Sequence, residues 1–85
     1  MDISSIEKLF DIKQFKIVSV LDADDKYIVT LGIKGAPSGV FTDDGQWFVD
    51  KKTNAKSVFR ASEHRDLYKK ALGKILYLAP GALDK

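Results

Sequence analysis

The sequence contains no cysteine and a single histidine, His64. The absence of cysteine excludes disulfide bonds, thiolate catalysis and the thiolate sites that hold zinc or iron–sulfur clusters. One histidine cannot build a zinc site with the usual histidine and cysteine ligands. We therefore predict that the protein has no metal centre and no cofactor.

Long apolar runs are also missing. The apolar stretch at 75–79 is far shorter than the ~20 residues needed to span a bilayer. Residues 1–20 carry charges at short intervals, whereas a signal peptide needs a basic start and an apolar run of roughly 7–15 residues. These features, and a cysteine-free composition that fits a reducing compartment, predict a cytoplasmic protein with no membrane partner.

Catalytic motifs are absent as well. The glycines at 32, 35, 39 and 45 match neither the dinucleotide fingerprint nor the Walker loop. His64 has Glu63 and Asp66 beside it, but helix neighbours one or two positions apart point in different directions. We predict that His64 is a polar residue of a first helical turn. The protein is predicted not to be an enzyme and to have no small-molecule substrate.

Two acidic segments, 22–25 and 43–45, are candidate cation sites. The first has Lys26 at the fifth position and Tyr27 at the sixth, where an EF-hand loop needs an oxygen ligand and a glycine. Both segments are therefore predicted to be solvated turns.

The length and composition of the chain are typical of a globular domain. The chain has 85 residues, of which 45% are hydrophobic and 31% are charged, which predicts one domain over 1–79 and a short tail at 80–85. Helical spacing predicts helices at 4–13 and 62–79, the second with Ser62 as its N-cap. Segments rich in β-branched and aromatic residues predict strands at 15–21, 27–34, 40–42, 46–50 and 56–60. The predicted fold class is α+β: an antiparallel sheet of four to five strands, in the order α-β-β-β-β-β-α, with both helices packed on one face.

This architecture leaves more apolar side chains than one covered face of a sheet can bury. An antiparallel sheet with helices on one side normally shows polar residues on the other. Either the sheet curls to bury the surplus, or an exposed apolar patch binds a protein partner or a second copy of the chain. The predicted protein-binding residues are Val18, Val20, Ile28, Trp47 and Phe48.

Basic residues concentrate in the second half of the chain. Residues 51–85 carry nine basic and three acidic groups. Lysines interleaved with aromatic rings suit sequence-tolerant nucleic-acid binding, because the charges contact phosphates and the rings stack on bases. The residues of this alternative nucleic-acid site are Lys51, Lys52, Lys56, Arg60, Lys69, Lys70 and Lys74.

The ten residues 47–56, WFVDKKTNAK, resemble the closing hairpin of PepSY-type domains. In that hairpin an aspartate, a threonine and usually a glycine precede the last strand. Asn54 stands here in place of the glycine. The resemblance implies a hairpin at this point, and no function is inferred from it.

The leading functional hypothesis is a small, non-enzymatic interaction protein that binds a macromolecular partner through the second sheet face or a sheet edge. The small size and the lack of catalytic groups would suit an accessory or inhibitory factor of a phage or mobile element. The alternative is an RNA- or DNA-binding module that uses the basic residues.

Overall fold

The computed structural model describes residues 3–10, 13–33 and 45–79. A short helix, four strands, a second helix and a fifth strand follow one another in these residues. They are α1 (Ile3–Glu7), β1 (Phe15–Ala23), β2 (Lys26–Ile33), β3 (Gln46–Asp50), β4 (Lys56–Val58), α2 (Arg65–Leu72) and β5 (Ile75–Leu78), with a single 3₁₀ turn (Ala61–Glu63) before α2.

The five strands form one sheet in the order β4-β3-β2-β1-β5. Each neighbouring pair is antiparallel. The prediction of an α+β fold, with an antiparallel sheet and a helix toward each end of the chain, is confirmed. The predicted strand at 40–42 and the predicted tail at 80–85 lie outside the described residues.

Two hairpins build most of the sheet, and each turn follows from its local sequence. In the β1–β2 turn, the Asp22 carboxylate accepts the N–H of Asp24 at 3.0 Å. In the β3–β4 turn, the Asp50 carboxylate accepts the N–H of Lys52 and of Thr53. Asp24 and Asn54 adopt positive φ angles of 63° and 61°, a conformation that aspartate and asparagine tolerate better than most residues. The turn predicted at the acidic segment 22–25 and the hairpin predicted after Trp47 are confirmed.

The sheet is apolar on both faces. Side chains alternate along each strand, so Val29 and Val49 face one side while Ile28 and Phe48 face the other. The core beside α1 is built from Ile6, Ile17, Val20, Val29, Leu31 and Val49. The core beside α2 is built from Leu21, Ala23, Ile28, Phe48, Phe59 and Ala71.

The two helices therefore cover opposite faces, and the prediction that they share one face is wrong. Ile6 of α1 belongs to one core, and Ala71 of α2 belongs to the other. The physical reason is the surplus of apolar side chains that the sequence shows. Because both faces are apolar, each of them has to be covered before the sheet is stable in water.

Both helices are shorter than predicted. α1 ends at Glu7 instead of extending to residue 13, and α2 ends at Leu72 instead of extending to residue 79. α2 begins after His64, which is its N-cap in place of the predicted Ser62. Beyond Gly73 the chain reverses, and the Asp22 N–H donates to the Lys74 carbonyl at 2.9 Å. This bond starts the pairing of β5 with β1.

Candidate functional site: an apolar sheet edge

The structure places the predicted protein-binding residues mainly inside the monomer. Val20 and Ile28 are 0% exposed, Val18 is 3% exposed and Phe48 is 8% exposed. Trp47 is half-buried, and its ring meets that of Phe10 edge-on at 6.1 Å between centroids. The surplus is buried, but α1 and α2 bury it by covering opposite faces, whereas the sequence alternatives were a curled sheet or an exposed patch. These side chains do not form an exposed patch.

Aromatic packing explains why Phe48 is covered. The Phe59 ring, which is 0% exposed, meets the Phe48 ring at 4.8 Å between centroids. Tyr68 of α2 lies 5.5 Å from Phe59, and the exposed His64 ring stacks on Phe59 at 5.8 Å. His64 therefore shields this aromatic group from solvent.

The structure does not gather the predicted basic residues into one surface. Lys56 pairs with Val49, which faces α1, whereas Lys69 and Lys70 belong to α2 on the opposite face. The Lys56 ammonium group donates to the Leu9 carbonyl. It also lies 4.9 Å and 5.9 Å from the ring centroids of Phe10 and Trp47. This lysine anchors the segment after α1 to the sheet.

Lys51 joins the two hairpin turns. Its Nζ lies 2.8 Å from Asp22 Oδ1 and 5.1 Å from the centroid of the Tyr27 ring. The hydrogen bond from Lys51 lowers the pKa of Asp22 and raises the pKa of Lys51. The two turn N–H groups, of Thr53 and then Lys52, lower the pKa of Asp50. The charge of Lys51 is therefore largely compensated within the fold.

The remaining predicted basic residues lie on the exposed surface. Lys74 Nζ lies 4.0 Å from a carboxylate oxygen of Asp24. The others, Lys52, Arg60, Lys69 and Lys70, are exposed. A cleft lined by Lys70 of α2 and by Lys74, which lies between α2 and β5, is also lined by Asp22 and Asp24. Its charges are mixed, so it provides no surface of one sign for a phosphate backbone.

Exposed apolar side chains concentrate at the end of α2 and along β5. Of the described residues, five large hydrophobics are exposed, and four of these lie between positions 72 and 78. We name these four the edge strip: Leu72 (47% exposed), Ile75 (49%), Leu76 (43%) and Leu78 (37%). The fifth is Val58 of β4. The sequence does not predict the edge strip, because residues 75–78 also fit the buried stripe of a long helix.

The edge strip lies at a free side of the sheet. β5 is the last strand in the sheet order and pairs with β1 on one side only, as far as the described residues extend. Ile75 pairs with Leu21 and Leu78 pairs with Ser19, so both side chains point to the face that α2 covers. Tyr77 points the other way and packs on the core beside α1.

The two sheet edges differ in chemistry. β5 reads ILYL and carries no charge, whereas β4 reads KSV and carries Lys56. Natural proteins commonly protect an edge strand with a lysine, with a short strand or with a covering segment, because unpaired N–H and C=O groups invite another strand. β4 shows two of these protections, since it is three residues long and charged. β5 shows no charge in any of its four positions.

No protein-family model matches the chain, and neither a curated protein nor a solved structure is significantly similar to it. No helix among the described residues combines the length and apolar character required to cross a membrane. The function is therefore argued from the geometry of this chain alone.

Proposed function

We propose that this chain is a protein-interaction module that binds an extended, uncharged polypeptide segment along β5. The observation that carries the proposal is the edge strip, four apolar side chains that are 37–49% exposed on and beside an uncharged edge strand. Strand addition at a sheet edge combines main-chain hydrogen bonds with pockets for alternate side chains. β5 offers the outer edge of a strand, and the edge strip offers apolar side chains beside it.

The apolar side chains favour a protein partner over a nucleic acid. A backbone of phosphates requires positive charge along its path, and β5 has none. The lysine of β4 is engaged by a carbonyl and two rings, and Lys51 is paired with Asp22. A polypeptide strand with its own apolar side chains would instead cover the leucines of the edge strip and remove them from water.

The position of the edge strip also supports binding without unfolding. Leu76 and Leu78 are on the surface already, so a bound strand requires no opening of either core. The backbone of β5 is held by β1 through hydrogen bonds that include Ala79 N–H to the Val18 carbonyl at 2.8 Å. A pre-formed strand lowers the ordering cost of association.

Site-specific photo-crosslinking tests the proposal. A photoreactive amino acid replaces Leu76 in one variant and Val58, the exposed apolar residue of the opposite edge, in the control. In cells that produce the protein, we expect adducts at position 76 that mass spectrometry maps to an extended apolar segment, and none at position 58. Adduct yields at position 76 no higher than those at position 58 would overturn the proposal.

A further inference from the structure

We infer that the segment bound at β5 is β5 of a second copy of this chain. The two strands run antiparallel about a two-fold axis, so that two five-stranded sheets join into one continuous sheet. This inference rests on the proposed function, because it names the partner of the same edge.

The chemistry of β5 fits a copy of itself. The partner strand has to be uncharged, apolar and about four residues long to cover the edge strip, and ILYL has these properties. A two-fold axis perpendicular to the sheet keeps each side chain on its own face. Tyr77 faces the core beside α1, so its neighbours Leu76 and Leu78 point to the α2 side. When Tyr77 lies opposite Tyr77 of the other copy, Leu76 of each copy meets Leu78 of the other, and the contact is self-complementary.

The charges beside β5 favour the antiparallel arrangement. Lys74, whose side chain is 61% exposed, immediately precedes the strand, and the uncharged Ala79 follows it. Antiparallel pairing centred on Tyr77 separates the two Lys74 residues by roughly 20 Å along the strands. That separation exceeds the Debye length of about 8–10 Å, so their repulsion is largely screened. Parallel pairing would place the two lysines side by side.

The opposite edge explains why the assembly closes at two copies. An isologous contact uses the same surface on both partners and leaves no further β5 edge free. Continued growth would need β4, which is three residues long and carries Lys56.

The size of the surface predicts a weak dimer. Stable protein interfaces bury about 1,200–2,000 Å² in total. The proposed contact consists of one four-residue strand and the end of α2, so we expect a dimer that dissociates on dilution.

Sedimentation velocity over roughly a hundredfold range of concentration tests the inference. We expect the wild-type chain to change from its monomer mass of 9.5 kDa to twice that mass. The double variant Leu76→Lys, Leu78→Lys should remain monomeric at every concentration with an unchanged far-UV circular dichroism spectrum. Val58→Lys, the matched control on β4, should dimerise like the wild type. A wild-type chain that stays monomeric, or a double variant that still dimerises, would overturn the inference.

A second readout keeps the test valid if the double variant does not fold. The wild-type chain has no cysteine, so Leu76→Cys and Val58→Cys each carry one spin label. Pulsed electron paramagnetic resonance should give a short distance between copies for the label at position 76 and no short distance for the label at position 58. Short distances for both labels, or for neither, would contradict antiparallel β5 pairing.

These outcomes separate the two proposals. A monomeric wild-type chain whose position-76 crosslinks map to a different protein would retain the proposed function and remove the second copy. Crosslinks that join two copies of this chain through residues of β5 would support both.

Discussion

A glycine inside a strand is unfavourable by roughly 0.5–1 kcal/mol relative to alanine, yet Gly32 lies within β2. A close contact with Val18 on the neighbouring strand explains why glycine is present here. Val18 is buried at the bulge in β1, and a Cβ atom on Gly32 would lie 2.9 Å from Val18 Cγ2. The hydrogen of glycine provides the space that the valine methyl occupies.

We expect Gly32→Ala to lower the free energy of unfolding by roughly 1–3 kcal/mol, because overpacking forces the buried valine to move. Urea denaturation measures the change. When Val18 is also replaced by alanine, Gly32→Ala should lower the free energy of unfolding by a smaller amount, because the two substitutions affect the same contact. The control is Gly73→Ala, where the nearest atom to the new Cβ is the Lys70 carbonyl oxygen at 3.4 Å. If Gly32→Ala and Gly73→Ala lowered the free energy of unfolding equally, contact with Val18 would not be the reason for glycine at position 32.

The ion pair between Asp22 and Lys51 makes stability depend on pH at the acidic end. The pKa of Asp22 is lower in the folded chain than its ordinary value of 3.8. The contribution of the pair is therefore complete above the unfolded pKa and is lost as the pH falls through the lowered folded pKa.

We expect Asp22→Asn to be less stable than the wild type at neutral pH, and the difference to disappear at pH values well below 3.8. Urea midpoints measured across this pH range provide the comparison. Asp25→Asn is the control, because the Asp25 side chain is 79% exposed and its contact with Lys26 should contribute little. A difference between wild type and Asp22→Asn that persists at low pH would exclude the charge as its cause.

At the scale of elements, the strands were easier to predict than the helices. β-branched and aromatic residues bounded by aspartate and asparagine turns located β1 to β4 within a few residues. The predicted helix at 62–79 is too long, because the helical spacing of apolar residues continues past the end of α2. The residues with this spacing are Leu67, Ala71, Ile75 and Leu78. Gly73 was the missed signal, since glycine often lies at a helix C-terminus and an apolar run of four suits an edge strand equally well.

The placement of the edge strip could not be predicted, because it depends on a tertiary contact. Whether residues 75–78 continue a helix or return to the sheet is decided by pairing with Ser19, Val20 and Leu21. That pairing is not encoded in local periodicity. The sequence predicts a surplus of apolar residues, but it does not predict that α1 and α2 cover opposite faces of the sheet and bury them.

α1 is short, and side chains from β3 and β4 hold the segment that follows it. Lys56 Nζ donates to the Leu9 carbonyl and lies 4.9 Å from the centroid of the Phe10 ring, which in turn contacts Trp47. A five-residue helix is marginal by itself, so these contacts supply much of its stability.

We expect Lys56→Met to loosen this segment and to lower the free energy of unfolding by about 1–2 kcal/mol, since a hydrogen bond and two cation–π contacts are lost. Trp47 is the only tryptophan, so its fluorescence should shift to the red as Phe10 moves away. Lys52→Met, an exposed lysine of the same hairpin, should change neither quantity. An unchanged tryptophan spectrum in Lys56→Met would show that the lysine does not hold α1.

At the scale of the whole fold, the described residues form one sheet with an apolar core on each face and one uncharged edge strand. This arrangement separates two groups of apolar residues that look alike in the sequence. Phe48 is 8% exposed beneath Phe59, whereas Leu76 is 43% exposed on β5. The first group stabilises the monomer, and the second is available for a partner.

Introducing a carboxylate at one residue from each group tests this division. We expect Phe48→Asp to unfold the chain, because an unpaired charge would enter the core of a domain whose total stability is about 5–10 kcal/mol. Leu76→Asp should stay folded, with a loss of about 1 kcal/mol or less, since its side chain already contacts water. Far-UV circular dichroism and the dispersion of amide resonances distinguish the two results. If Leu76→Asp unfolded as readily as Phe48→Asp, β5 would be part of the core. The exposed edge on which strand addition depends would then not exist.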